Sequence, residues 1–208
     1  MSDRAPHTRF GLIRHAQTVW NLDKMIQGQK DSFLTTTGRA QSRIWGERLT
    51  PLSFDRILTS DLGRTVATAE LINRALKLPL KKTSQLRELD WGVWTGRRIR
   101  DIEKEIPEEL RIMEQAGWQF CPPGGESRRT AWLRSRGALE DASKMWPGET
   151  ILTVIHEGVI KCLLYGLAER KFMPQEPAMI KPCYLHWLVV GETGLRIERL
   201  NAFKLYLK

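Results

Sequence analysis

Two histidines of this chain stand directly after short apolar runs, and each could present its ring at the end of a strand. His15 follows Arg14 at the end of the apolar run 10–13, and His156 follows the mostly apolar run 150–155. An arginine offers a planar fork of donors for phosphate or carboxylate, and a histidine can be nucleophile, base or metal ligand near neutral pH. The alternative is that Arg14 and His15 only cap a strand, since so short a motif often arises by chance.

Two further charged residues occupy positions that local structure alone does not favour. Arg64 lies in the first turn of a predicted helix with Ser60 or Asp61 as its N-cap, and a cation there opposes the helix dipole. A bound anion at this helix start would reverse that argument, whereas a solvated surface arginine would need no ligand. Glu88 stands just before a turn rich in glycine and tryptophan, either in a cleft or at an exposed strand edge beside an arginine.

The elements that must position these residues alternate between strands and helices. This alternation favours an α/β fold: a single-domain three-layer αβα sandwich over residues 1–208, with a mostly parallel central sheet and helices on both faces. In such open sheets, ligands bind at the edge where the parallel strands end. The predicted strands are 10–13, 56–59 and 150–155, with a hairpin at 185–190 and 195–200; the predicted helices are 37–51, the residues after 61, 96–115 with a break at Pro107, 127–145 and the residues after 156.

The composition indicates the charge of the partners but does not identify them. A formal net charge of +9 over 208 residues favours anionic partners such as phosphorylated metabolites, nucleic acid or an acidic surface. We expect neither nucleic acid nor a membrane, because the chain has no stacking motif, no basic stripe and no run of roughly 20 apolar residues. Its three cysteines lack metal-type spacing and its start lacks a signal peptide, which favours a cytoplasmic protein with reduced thiols.

Five segments of the chain, taken in order, match the motifs of one known family. They are Arg14-His15-Ala16-Gln17-Thr18 with Asn21; Gln27-Gly28 with Asp31, Leu34, Thr35 and Gly38; Ser60-Asp61-Leu62 with Arg64 and Thr68-Ala69; Glu88 with Gly92, Trp94 and Gly96; and Pro123-Gly124-Gly125-Glu126-Ser127 with His156. Each segment is weak alone, but five in one order make chance a poor explanation. The chain thus resembles the histidine phosphatase superfamily, in its phosphoglycerate-mutase-like phosphatase branch, over residues 10–164.

The resemblance implies a role for each matching residue. His15 would take the phosphoryl group onto a ring nitrogen, and Arg14 and Arg64 would keep it neutral by holding its pKa down. Glu88 would protonate the leaving alkoxide and later activate water, with His156 as the third catalytic residue. Because the arginines and histidines supply the positive charge, we expect no metal and no cofactor. The phosphate-binding residues would be Arg14, Asn21, Arg64, His156 and Glu157.

The resemblance also places a substrate pocket, which we expect beneath a cap formed by residues 97–127. Aromatic residues around this segment are candidates for the pocket wall. The expected substrate-pocket residues are Thr18, Gln27, Gly28, Trp94, Trp118 and Cys121.

Two positions depart from the family pattern, which usually has glycine after each histidine. Ala16 follows the first histidine, and glycine is often kept where a backbone angle or a close approach demands it. Glu157 follows the second histidine, and a carboxylate pointing inward would repel phosphate by a few kcal/mol at an effective dielectric of about 20. Alternatively, Glu157 turns away and pairs with an arginine.

The predicted function is therefore hydrolysis of a small phosphorylated metabolite through a phosphohistidine, by a monomer or homodimer. The short stretch between 96 and 122 favours hydrolysis over exchange between sugar acids, because the mutases typically carry longer insertions there. Two alternatives stay open. One is a cofactor-dependent phosphoglycerate mutase, and the other is a non-catalytic phosphate-binding regulatory module, which the departures at Ala16 and Glu157 would suit.

Overall fold

A six-stranded sheet forms the middle layer of the computed structural model, which describes residues 7–205 of the chain. The first six residues, where we expected no signal peptide, and the last three lie outside the described part. The strand order across the sheet is β3-β2-β4-β1-β5-β6. The strands are β1 (Thr8–Arg14), β2 (Arg56–Ser60), β3 (Leu80–Thr83), β4 (Thr150–Ile155), β5 (Tyr184–Gly191) and β6 (Gly194–Lys204).

The pairing of β1 with β4 determines where the two histidines lie. These strands are parallel, and Arg14 pairs with Ile155 as the last residues of the two strands. The ladder continues one step further, because His15 donates its backbone N–H to the Ile155 carbonyl at 2.9 Å. His15 and His156 therefore leave the sheet side by side at its carboxyl edge. Strands β2 and β3 are also parallel to this pair, whereas β5 and β6 form an antiparallel hairpin on the other side of β1.

Helices cover both faces of the sheet. Along β1, Leu12 packs into the apolar cluster that includes helices α6 (Arg128–Met145) and α7 (Glu157–Leu167). Its neighbour Ile13 packs into the cluster that includes helices α2 (Thr36–Leu49) and α3 (Gly63–Leu76). This alternation is what a strand buried on both faces requires. The predicted αβα sandwich with a mostly parallel sheet is thus confirmed. The helices are α1 (Val19–Leu22), α2 (Thr36–Leu49), α3 (Gly63–Leu76), α4 (Ile99–Glu105), α5 (Pro107–Gln115), α6 (Arg128–Met145) and α7 (Glu157–Leu167).

Two features of the fold differ from the sequence expectation, and a third was not predicted. Strand β3, with the sequence Leu-Lys-Lys-Thr, was not predicted, because a partly exposed edge strand carries no apolar run. Helix α3 has Leu62 as its N-cap residue, without a side-chain bond, so neither Ser60 nor Asp61 caps it. Finally, segment 97–127 builds a small core of its own, in which Ile102, Leu110 and Phe120 pack with Trp94. No helix among residues 7–205 is long and apolar enough to cross a membrane.

The close packing of α2 on α3 gives a test of this architecture. A Cβ at Gly46 would lie 2.7 Å from the backbone oxygen of Ile72, whereas a Cβ at Gly137 in α6 would meet nothing within 4 Å. We expect Gly46→Ala to lower the free energy of unfolding by about 1–3 kcal/mol through overpacking. Gly137→Ala should raise it by about 0.5–1 kcal/mol, because alanine favours a helix. Urea denaturation measures both, and a neutral Gly46→Ala would contradict the packing.

Candidate active site

His15 is buried and held in one tautomer at the end of β1. Its Nδ1 lies 2.8 Å from the backbone oxygen of Ala16, which can only accept, so Nδ1 carries the proton and Nε2 keeps its lone pair. Burial, followed by the charges of Arg14 and Arg64, lowers the pKa of His15 well below its ordinary value. A neutral imidazole with an unprotonated Nε2 is the form that can act as a nucleophile.

His156 is fully buried beside it, with the two ring centroids 5.4 Å apart. Its Nε2 lies 3.0 Å from the Ser60 hydroxyl at the end of β2. Its Nδ1 is buried and has no hydrogen-bond partner among the described residues. Burial and then the charge of Arg64 lower the pKa of His156 well below its ordinary value. The ring is therefore neutral, with a hydrogen bond to protein at one of its two nitrogens.

Arg64 is buried rather than solvated, which removes the surface alternative raised by the sequence. Its Nη2 donates to the Gly28 carbonyl at 2.7 Å, and its Nη1 donates to the Lys30 carbonyl at 2.7 Å. Asp31 adds a carboxylate oxygen 3.1 Å from the same Nη1. The opposite carboxylate oxygen accepts the Gly63 N–H at 2.6 Å, so the cap of α3 comes from a distant loop. The loop thus holds both the helix start and its arginine.

Glu157 pairs with two cations. Its carboxylate accepts a short hydrogen bond from Arg14, and its other oxygen lies 2.8 Å from the Lys161 ammonium one turn later in α7. Burial raises the pKa of Glu157, but Arg14 and Lys161 together lower it more, so the net pKa is below its usual value. Glu157 is therefore ionised and holds Arg14 at the mouth of the site.

Two backbone N–H groups hold the carboxylate of Glu88 near the start of α7. The Leu89 N–H donates to one carboxylate oxygen at 2.9 Å, and the Gly158 N–H donates to the other at 3.2 Å. The second of these donors belongs to the first turn of α7, two residues after His156. The carboxyl group is thereby brought to the same sheet edge as the histidines.

Asn21 is fixed by a reciprocal cap at the start of α1. Its side-chain oxygen accepts the Thr18 N–H at 3.2 Å, while the Thr18 hydroxyl accepts the Asn21 N–H at 3.2 Å. The Thr18 hydroxyl also lies 3.1 Å from the Gln27 side-chain oxygen. Thr18 therefore holds Asn21 in place, and Gln27 contacts Thr18.

A cavity of about 420 Å³ opens beside His15. Arg14, His15, Asn21 and Glu157 are among its lining residues. Among residues 7–205, no group of three His, Cys, Asp or Glu side chains could hold a metal ion.

The sequence of this chain matches that of a known protein family. A sequence profile described as histidine phosphatase superfamily (branch 1) matches residues 10–202. The chain belongs to the histidine phosphatase superfamily. The Salmonella choleraesuis protein named "Probable phosphoglycerate mutase GpmB" is 36% identical over 202 residues, which cover 92% of this chain and 94% of that protein.

Two solved structures of similar proteins agree with this assignment. Bacillus stearothermophilus YhfR superposes with a TM-score of 0.86 at 27% identity, covering 95% of this chain and 98% of that one. A mycobacterial glucosyl-3-phosphoglycerate phosphatase superposes with a TM-score of 0.80 at 29% identity, covering 93% of this chain and 98% of that one.

The departures from the superfamily pattern are accommodated without strain. Ala16 does not adopt a positive φ, and its N–H donates to the Thr68 hydroxyl at 3.1 Å in a buried site. No left-handed backbone therefore requires glycine there. Glu157 pairs with Arg14, as the second alternative from the sequence expected, but it still lines the cavity beside His15.

The expected pocket residues divide into two groups, and none of the six lines the cavity beside His15. Thr18 and Gln27 lie behind Asn21, and Gly28 offers its carbonyl to Arg64. Three residues expected at the wall lie elsewhere, because aromatic rings gain most from their own apolar clusters. Trp94 is buried in the small core of segment 97–127. Trp118 donates its Nε1–H to the Arg170 carbonyl at 2.7 Å and packs on Phe172. The Cys121 sulfur lies 3.8 Å from the carbonyl oxygen of its neighbour Pro122.

The wall that the structure shows comes from parts of the chain without a motif. It includes Lys161 and Tyr165 on the outer turns of α7, together with residues just before β5. The helical spacing of Glu157, Lys161 and Tyr165 was the one signal that could have revealed part of this wall.

The bonds of Asp31 predict a stability effect. Asp31→Ala removes the acceptor for the α3 start and a partner of buried Arg64, and should lower the free energy of unfolding by about 2 kcal/mol. Asp141→Ala, which breaks an exposed pair with Lys144, should change it by less than about 0.5 kcal/mol. Urea denaturation would contradict this role of Asp31 if the two variants behaved alike.

The environment of His15 predicts an unusual titration. Because burial and two arginines disfavour its protonated form, the ring should gain its proton only well below pH 6.5. Arg14→Gln removes one of these charges and should move the pKa of His15 upward. NMR titration of the histidine ring nitrogens measures this, and a His15 pKa at or above 6.5 in the wild-type protein would refute the electrostatic argument.

Proposed function

We propose that this protein is a metal-independent phosphomonoesterase that hydrolyses a small phosphorylated metabolite through a phosphohistidine on His15. The observation that carries this proposal is the neutral His15 ring, whose unprotonated Nε2 stands beside Arg14 and Arg64. A nucleophile flanked by cations suits an anionic electrophile such as a phosphoryl group.

In the first half of the reaction, the Nε2 lone pair forms a bond to phosphorus while the bond from phosphorus to the ester oxygen breaks. Glu88 gives its proton to the departing alkoxide, which leaves as an alcohol. Arg14, Arg64 and the free Nδ1 side of His156 stabilise the charge on the three phosphoryl oxygens, where it lies in the transition state.

In the second half, Glu88 is ionised and takes a proton from water. The water oxygen bonds to phosphorus, the P–N bond breaks, and inorganic phosphate leaves with His15 neutral again. The two halves use one carboxyl group first as acid and then as base. Its two backbone donors keep it in place for both steps.

The mutase reading remains the second candidate, and one observation favours it. The 36%-identical relative is named as a phosphoglycerate mutase, although the similar mycobacterial structure is a phosphatase of a glucosylated phosphoglycerate. A mutase would pass the phosphoryl group from His15 to a second hydroxyl instead of water. The non-catalytic module loses support, because Ala16 fits its site and Glu157 is neutralised by cations. A cytoplasmic location and a monomeric or dimeric state stay predictions.

Hydrolysis of p-nitrophenyl phosphate in the presence of EDTA tests the proposal. We expect turnover by the wild-type protein, and a loss of at least about a thousandfold in kcat for His15→Ala, since the nucleophile is removed. Asp141→Ala is the matched control and should retain full activity. Glu88→Gln should accumulate an acid-labile phosphoenzyme after mixing with this activated ester.

Either of two results would overturn the proposal. Turnover that survives His15→Ala would exclude the phosphohistidine route. Activity seen only with phosphoglycerate together with bisphosphoglycerate would instead establish the mutase.

A further inference from the structure

The outer wall of the cavity is formed by a long loop that the catalytic chemistry does not use. Residues 168–183, here named the cavity loop, connect α7 to β5 without a helix or strand. Loops of this length in a compact domain are uncommon and are usually functional. Ala178, Ile180 and Lys181 of this loop line the same cavity as His15.

Asn201 in β6 fastens the end of the cavity loop. Its side-chain oxygen accepts the Lys181 N–H at 2.7 Å, and its side-chain nitrogen donates to the Met179 carbonyl at 3.0 Å. Asn201 adopts a left-handed backbone with φ 47°, which also directs its own N–H to Nδ1 of His186 at 3.1 Å. The wall at Ile180 is thus a built surface, held on both sides by hydrogen bonds.

Part of the cavity lining is buried and apolar. Trp45, Ile160 and Leu205 line it, and each is at most 2% exposed. His186 also lines it and is buried; because its Nδ1 accepts from Asn201, its Nε2 carries the proton as a single donor. Burial lowers the pKa of His186 to about 4, so the ring is neutral.

We propose that this cavity binds the alcohol portion of the phosphomonoester, and that this alcohol is bulky and largely apolar. The proposal rests on the proposed function, because it takes the phosphoryl group to lie at His15. Ligand sites of about 300–1,000 Å³ typically combine apolar walls with a few polar groups, as this cavity does. The apolar body would lie against Ile160 and Ile180, with the His186 donor facing a polar atom of the ligand.

A small, hydrophilic alcohol such as glycerate fits this surface poorly. It would leave the apolar wall in contact with water and gain nothing from burial there, whereas affinity in such a pocket grows with the apolar area removed from water. Lys161, the nearest cation on α7, is already paired with Glu157 at 2.8 Å. Arg14 and Lys181 also line the cavity, and the discrimination that we propose comes from the apolar contact at Ile160 and Ile180.

Two aryl esters with the same bond chemistry test this proposal. Phenyl phosphate and naphthyl phosphate differ by one apolar ring, and we expect kcat/KM of the wild-type protein to be about tenfold higher for the naphthyl ester. Ile180→Ser should raise KM for naphthyl phosphate about tenfold with little change in kcat, since it removes uniform binding. KM for phenyl phosphate should change much less.

Ile197→Ser is the matched control. Ile197 is half-buried against the same apolar cluster as Ile180, but it lies on β6 outside the cavity lining. It should leave the preference between the two esters unchanged. The proposal is overturned if wild-type protein shows no preference for the larger ester, or if Ile180→Ser and Ile197→Ser affect both esters alike.

Calorimetry separates this proposal from the reaction assignment. If the wild-type protein turns over neither ester, the phosphatase proposal fails, and titration with both esters still tests the cavity. Tighter binding of naphthyl phosphate that Ile180→Ser weakens would support the cavity alone; equal binding of the two esters would overturn it.

Discussion

The site depends on one buried guanidinium. The side chain of Arg64 is fully buried, and transfer of an unpaired charge from water into such a place is costly. Two carbonyls and one carboxylate of the loop 28–31 compensate this cost, and the same carboxylate caps the helix that carries the arginine. Loop, helix start and cation therefore stabilise one another, and each would lose its position without the other two.

The chemistry of the two histidines depends on burial first and on the nearby arginines second. Buried near Arg64, His15 and His156 both have pKa values well below the ordinary range, mainly through burial and then through charge. The parallel pairing of β1 with β4 places them together, and the Ala16 carbonyl selects the tautomer of the first. A nucleophilic nitrogen is thus produced by backbone geometry and burial, without a dedicated base beside it.

The sequence predicted the parts of this molecule that depend on local pattern. Apolar runs ending in His15 and His156 located two strands and the site edge, and the ordered motifs located Arg64 and Glu88 there. Strand β3 escaped prediction because Leu-Lys-Lys-Thr becomes a strand only through its neighbour β2. Trp94 and Trp118 were assigned to the pocket wall, but Trp94 packs with Trp91 and Ile102, and Trp118 packs on Phe172 from a distant part of the chain. Contacts of that kind leave no periodic signal in a sequence.

The position of the cavity loop outside the sheet has an evolutionary consequence. Residues 168–183 contribute no strand pairing, and Asn201, which fastens the end of this loop, lies on the β5–β6 hairpin rather than on the parallel strands that lead to His15 and His156. Insertions, deletions and substitutions in this loop can therefore accumulate in descendants of one gene while the nucleophile and its neighbours keep their geometry. Substrate preference can therefore change through mutations in the cavity loop. The residues that carry out the reaction lie in other parts of the chain and can stay the same.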